Sequence, residues 1–449
     1  MKIFNQGFYN GIKRDTHKIM QQLLNPMCGL VQEIGFIHRG SDDPRLCIAG
    51  ADLSGVHVLQ NKAAPKRGSY HIGGGGIYQD EALIKSLGES IERYSQLIPY
   101  FDGVNIKTFK SYQEMISEGN TVLPPSYLQF YSKQQLSRPN FPFQKFEEKS
   151  PMNWIRLTSL LEEKKIYIPM QLLFVGYQVN KAAGEPWLNS AVTTGTATHV
   201  TRFKALKSAI LELIQLDAAM GHWYTEVASY EIILDQRTSV FENLLRKIIP
   251  ANKTLPRFFL LKNADLKGFV ISCLFENYNI PKYAVGLGAD TDLISALYKA
   301  FLEAVGVLQL AKVVLINDKF NYAQQTKVTP DAIFDLDSNV ALYAHGDYAN
   351  RIRNRFIDSK AIFASELDKD LTGNDQEQLK ELISEFIKTK KDLYYIDLTP
   401  PEIMPLNLHV MRVWSPQLLS LALPSAVPSA HPRFLDYGSV IHEDPHPYP

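Results

Sequence analysis

The sequence predicts a mixed α/β fold in which β-sheets are flanked by helices, and three observations carry that reading. Apolar runs of strand length, such as "RFFLLKN" and "GFVISCLFE", stand between turn-rich segments. Longer stretches repeat apolar residues at three- and four-residue steps, as Leu206, Ile210, Leu213 and Ile214 do, which is helical spacing. Three of those helical stretches align with one another without gaps.

In chain order, residues 1–60 read as a small α/β lead-in with a strand inside "LLNPMCGLVQEIGFIHR". Residues 61–449 read as one large domain with subregions 61–185, 186–330 and 331–449. The first subregion opens on a glycine run and a helix. It then passes loops at Pro124-Pro125 and "SRPNFPF" and reaches "KKIYIPMQLLFVGY", expected to be a strand pair broken at Pro169. The second holds the other two aligned helices, with strands between them. The third begins polar and helical. Its segment "DQEQLKELISEFIKTKK" is amphipathic and reads as a surface helix able to dock a partner. Strands return near residue 391, followed by a proline-rich tail.

Composition limits the function. The 449 residues carry 47 Lys+Arg and 47 Asp+Glu, a formal net charge of zero, which argues against binding dominated by nucleic-acid phosphates. Apolar runs such as "AKVVLI" are too short to span a bilayer, and the N-terminus lacks a signal-like apolar core. Three dispersed cysteines fit a reducing cytoplasm and form neither a disulfide framework nor a zinc motif. There is no GxxxxGK[ST] loop, HExxH or GxSxG, and the Gly73–Gly76 run lacks Rossmann spacing.

The aligned stretches are "EALIKSLGESIER" (81–93), "KALKSAILELIQL" (204–216) and "SALYKAFLEAVGV" (295–307). Each has a glutamate seven residues after a shared alanine: Glu89 after Ala82, Glu212 after Ala205 and Glu303 after Ala296. Eight residues before each alanine stands a small residue, Gly74, Ala197 or Gly288. Each unit therefore reads as a small-residue loop, a helix and an inward glutamate. Ser86, Glu89 and Arg93 share one helix face, as do Ser208, Glu212 and Gln215, and Lys299 and Glu303. A carboxylate on an apolar side must be paired or bind a cation. Three such carboxylates converging would require one, and Mg2+ takes carboxylates together with phosphate oxygens. Backbone N–H groups at the glycine loops could receive phosphate. The residues thus point to an Mg-nucleotide site between helices without a Walker loop.

These same segments resemble a known family. "GGGGIYQDEALIKSLGESIERYS" resembles the first signature of the YcaO domain, with Ser86, Glu89, Glu92 and Arg93. "TTGTATHVTRFKALKSAILELIQLDA" and "GLGADTDLISALYKAFLEAV" are similar to its second and third signatures. "YYIDLTPPEI" and "HVMRVWSPQL", with Asp397, Thr399 and Arg412, resemble its late strand pair. The likeness runs from about residue 25 to the C-terminus. The final PxPxP, Pro445 to Pro449, resembles the tail of azoline-forming members.

The resemblance implies an ATP-dependent cyclodehydratase. It would convert Cys, Ser or Thr of a ribosomally made precursor peptide to thiazoline or oxazoline by phosphorylating the backbone amide oxygen. It implies Glu89, Glu92, Glu212 and Glu303 as magnesium ligands. It implies Gly74, Gly75, Gly76, Ser86, Arg93, Ser208, Gln215, Lys299 and Arg412 as ATP contacts, and the Pro449 carboxylate as a general base. It also implies a ubiquitin-activating-enzyme-like leader-binding partner, since no such domain is expected upstream, and a flavin-dependent azoline dehydrogenase. The other readings are a thioamide- or amidine-forming YcaO enzyme and a non-catalytic scaffold of a modification complex. The sequence departs from the family pattern at Gly75, where lysine is usual, and at Gln215, Leu216 and Gly306.

Overall fold

A computed structural model describes residues 13–55, 72–97, 107–277, 281–318, 333–334, 336–344 and 346–448. Its architecture is mixed α/β with three sheets. The first sheet is an antiparallel meander of β1 (Val31–Phe36), β2 (Cys47–Leu53) and β3 (Ile72–Gly76). The second contains β4 (Lys107–Ser111), β5 (Pro151–Ser159), β6 (Lys165–Pro169), β7 (Thr196–His199), β13 (Tyr394–Asp397) and β14 (His409–Trp414). Its order is β4-β5-β13-β14-β7, with β6 also on β5. The third contains β8 (Tyr230–Ile233), β9 (Arg257–Leu260), β10 (Phe269–Glu276), β11 (Tyr283–Asp290) and β12 (Lys360–Phe363), in the order β11-β10-β9-β8-β12.

Among the described residues, the helices of eight or more residues are α1 (Arg14–Leu23), α2 (Gln79–Ser95), α3 (Arg202–Tyr224), α4 (Ser239–Ile248), α5 (Leu293–Asp318), α6 (Leu336–Ala344), α7 (Gly346–Phe356) and α8 (Asp375–Lys388). The three repeats are α2, α3 and α5. Each follows the terminal strand of a different sheet: β3 leads into α2, β7 into α3 and β11 into α5. Each helix packs on its own strand and also on the strand of the next unit: α2 on β7, α3 on β11, and α5 back on β3. The repeat therefore closes into a ring, and the glutamates at equivalent positions face its centre.

Two sequence expectations change here. The glycines before the helices are not loops: Gly73 to Gly76 lie in β3, and Gly286 and Gly288 in β11. They are small because the strands press onto the helices. A Cβ on Gly74 would lie 2.5 Å from the Ser86 nitrogen, and one on Gly288 would lie 2.5 Å from the Ala296 oxygen. Second, Pro169 ends β6 and a short 3-10 turn, Met170–Leu172, follows it, so no strand pair forms there.

The third sheet gains a short edge strand, β12, parallel to β8. The amphipathic helix α8 covers its own chain, burying Leu379, Leu382 and Phe386 in the cluster that also holds Ile210 and Leu213 of α3. Among the described residues, no helix is long and apolar enough to cross a membrane.

Candidate functional site

A cavity of about 1110 Å³ opens where the three units meet. Its walls carry Gly74, Gly75, Glu89 and Arg93 from the first unit, Glu212 and Gln215 from the second, and Lys299, Glu303 and Gly306 from the third. Eight of the residues expected at the site thus share one space: Gly74, Gly75, Arg93, Gln215, Lys299, Glu89, Glu212 and Glu303.

Each glutamate is held by a backbone N–H near the strand of its own unit. Glu89 accepts from Gly73 N at 2.8 Å and Glu212 from Gly195 N at 3.1 Å, while Glu303 accepts from Leu287 N. The three donors stand sixteen, seventeen and sixteen residues upstream, so the sequence repeat is also a repeat of hydrogen bonding. Glu89 additionally pairs with Arg93 at 3.2 Å.

Among the described residues, no three His, Cys, Asp or Glu side chains are grouped to hold one ion. Each of the three carboxylates is turned toward a backbone N–H of its own unit. They still sense one another. Burial pushes the Glu212 carboxyl up to about 7, with Glu89 adding to the rise and Arg412, Gly195 N–H and Arg93 opposing it. Burial pushes Glu303 up to about 8, with Glu212 and Glu89 adding to it against the Leu287 N–H. Glu92 is raised by burial and by Glu212, and accepts from Thr198 N at 2.6 Å across the boundary with the second unit. Buried carboxylates that raise one another's pKa form a place where a cation is favoured.

The remaining expected residues stand behind the wall. Arg412 is buried, donating to Thr196 Oγ1 at 2.7 Å and to Val192 O at 2.9 Å. Burial brings it down to about 10, against the pull of Glu212. Ser86 is fully buried, under the strand–helix contact at Gly74. Gly76 faces Glu81, and Ser208 is half-buried on α3; neither lines the cavity, nor does Glu92. Pro449 lies outside the described residues.

Asp217, from the second signature, is structural. It takes hydrogen bonds from Arg433, Tyr437, Asn263 and Leu419 N in the fully buried interior. Asp397 pairs with Arg202 at 2.7 Å and with Thr399, away from the cavity wall.

The fit to a metal–nucleotide ligand rests on chemistry visible here. Buried Arg93 Nε, Arg412 Nε, Ser86 Oγ, Thr194 Oγ1 and Thr198 Oγ1 have no hydrogen-bond partner. Arg93 and Thr194 stand on the cavity wall, and Arg93 and Arg412 both act on Glu212, so groups able to meet an anion stand beside a carboxylate able to meet a cation.

Lys85 and Tyr448 are among the wall residues that sequence reasoning missed. Lys85, on α2, donates to Gly75 O at 3.0 Å and pairs with Glu81 at 2.7 Å. Its signal was its position four residues before Glu89, matching Lys299 before Glu303. Tyr448 of the tail also lines the cavity. The tail is anchored by His446, whose Nε2 lies 2.7 Å from Ala422 O, by Asn339 Nδ2 donating to His446 O at 2.8 Å, and by the Tyr343 hydroxyl donating to Pro445 O.

A carboxylate-lined cavity built from three strand–helix units, with no phosphate loop, defines the class. The YcaO cyclodehydratase family model, described as ATP- and Mg2+-binding, matches residues 73–419. The chain therefore belongs to the YcaO family. No curated protein matches it.

Among solved structures, it is similar to a heterocyclase in complex with substrate and cofactor, at 18% identity and TM-score 0.73, covering 99% of this chain and 58% of that one. It thus spans little more than half of that heterocyclase. It is also similar to YcaO from Methanopyrus kandleri bound with AMPPCP and Mg2+ (14% identity, TM-score 0.61, 92% and 90% covered). A third is the E. coli microcin synthetase McbBCD complex (15% identity, TM-score 0.60, 95% and 98% covered). At these identities the likeness is one of fold.

Proposed function

We propose that this chain is an ATP-dependent peptide cyclodehydratase. It would convert Cys, Ser or Thr of a ribosomally made precursor to thiazoline or oxazoline, acting with a leader-binding partner. The observation that carries this reading is the meeting of Glu89, Glu212 and Glu303 in one cavity with Arg93 and the tail residue Tyr448. Family membership supports the chemistry, and the solved complex with pro-MccB17, which is similar at 14% identity, supports a peptide substrate.

Bound Mg2+-ATP would supply the phosphoryl group that turns an amide oxygen into a leaving group. The protein's own task is positioning and charge neutralisation. Glu89, Glu212 and Glu303 would hold magnesium, one or two carboxylates to an ion with phosphate oxygens completing its shell. Glu92 stands behind them and Gln215 beside them, and both support that set. Arg93 and Lys299 would meet phosphate oxygens. Gly74 and Gly75, lacking side chains, leave room for the ligand along β3. Arg412 would orient Glu212 from behind. The docked Pro445–Tyr448 segment would close one wall and keep water from the activated amide.

The test uses the full chain with precursor peptide and leader-binding protein. Glu89→Gln should abolish both phosphate release and loss of one water mass from the peptide, while its circular dichroism stays that of the parent. Full activity in that variant refutes the metal role. A sulfur-for-oxygen mass change in place of water loss would assign the chain to thioamide formation.

A further inference from the structure

The first sheet ends in an edge that opens on the cavity. Ile37 N donates to Ile48 O at 2.9 Å, and the register pairs Phe36 with Ala49, Gly35 with Gly50 and Ile34 with Ala51. Hydrogen-bonded pairs alternate along an antiparallel ladder, so Gly35 and Ile37 bond to β2 while the N–H and C=O groups of Ile34 and Phe36 point away from it. Among the described residues, these four groups have no hydrogen-bond partner. The start of the same edge is taken, because Val31 O accepts from Asn25 N at 3.0 Å. What stays open is the stretch from Ile34 to Phe36. It borders the cavity, whose wall includes Glu33, Gly35, Phe36 and Ile37. Phe36 is 43% exposed there, and a Cβ built on Gly35 would meet no atom within 4 Å.

We propose that this edge receives an extended core segment of the precursor peptide as an added strand, its backbone paired with Ile34 and Phe36. The inference rests on the cyclodehydratase reading above and names how that substrate is held. The open edge adjoins the cavity in which that reaction is set, and this singles out a peptide: the reacting amide belongs to a main chain and must be carried into the cavity. Main-chain pairing reads the backbone and tolerates different side chains, as a substrate cyclised at Cys, Ser or Thr requires. The geometry sets the reach. Strands lie about 4.8 Å apart, so the added strand stands about 14 Å from β3, where Gly73 N–H holds Glu89. Gly35, Gly50 and Gly73 form one cross-strand row, and no side chain rises from it between the edge and Glu89. An extended chain gains about 3.5 Å per residue, so a residue about four positions beyond the anchored pair reaches the carboxylates. Only alternate residues of the peptide give their N–H to β1.

The test is a scan of singly N-methylated precursor peptides, cyclised by the full chain with its leader-binding protein, ATP and Mg2+. Each methyl group removes one backbone donor and leaves the enzyme untouched. Between about three and six residues from the cyclised position, kcat/KM should fall about tenfold at alternate sites and stay within about threefold at the sites between. On the protein side, Phe36→Pro removes an outward N–H and spares the ladder to β2. It should raise the precursor KM about tenfold with kcat within about threefold, whereas Phe36→Leu, which keeps the N–H, should stay near the parent. A flat or aperiodic scan overturns the added strand while the cyclodehydratase reading stands. A flat scan joined to a Phe36→Pro shift from dimer to monomer overturns it too, and puts a second copy of the chain on the edge. A parent chain that forms no ring in the unmethylated precursor overturns both.

Discussion

The contact between strand and helix in each unit sets the glutamates, and it can be perturbed at one atom. A Cβ added at Gly74 would lie 2.5 Å from Ser86 N and closer still to Ala82 O, both backbone atoms of α2. Ordinary contact begins near 3.4 Å, so β3 must shift by about 1 Å, because a helix backbone cannot yield as a side chain does. Overpacking of this kind costs about 1–3 kcal/mol. Since β3 also carries the Gly73 N–H that holds Glu89, the shift should spoil the site as well. Gly75→Ala is the internal control: its Cβ meets Ile48 Cδ1 at 3.2 Å, a side chain able to turn away. Urea denaturation should show Gly74→Ala losing about 2–3 kcal/mol, with ATP affinity down at least tenfold, while Gly75→Ala stays within about 1 kcal/mol of the parent. Gly288→Ala, placed 2.5 Å from Ala296 O, should behave like Gly74→Ala. Equal stability for Gly74→Ala and Gly75→Ala would refute the close-approach account.

Two further outcomes follow from buried charges. Burial holds His446 neutral, with its value lowered from 6.5 to about 4. The released tail therefore binds more protons between those values, and docking weakens as pH falls from about 6.5 to 4, by up to about 3 kcal/mol. Limited proteolysis of the tail should accelerate at pH 5 relative to pH 7, and equal rates would contradict the docking. Arg433 and Asp217 form a fully buried pair at 2.6 Å, so Asp217→Asn should cost about 3–5 kcal/mol in thermal unfolding, and a change under 1 kcal/mol would show that the pair is not needed.

Much of this was legible in the residues because the repeat is both chemical and geometric. The glutamates, Arg93 and Lys299 were found from spacing and resemblance, the strands at β9 and β10 from apolar runs, and the strand at β14 from the resemblance. Other features depended on tertiary pairing. A glycine run has little β propensity, so β3 became a strand only through β2 on one side and α2 on the other. The four residues of β12 are too short and too exposed to read as a strand until β8 pairs with them. Ser86 and Arg412 were expected at the site, and their depth behind the wall is a product of packing. Lys85 was legible in principle, since the offset that singled out Lys299 applies to it equally.

Magnesium dependence of ATP binding, in the parent chain and in Glu89→Gln, Glu212→Gln and Glu303→Gln, bears most directly on the three-unit site. The account predicts tight binding only with Mg2+, and loss of that dependence in all three variants. Binding equally strong in the presence of a chelator, or unaltered by all three substitutions, would contradict it.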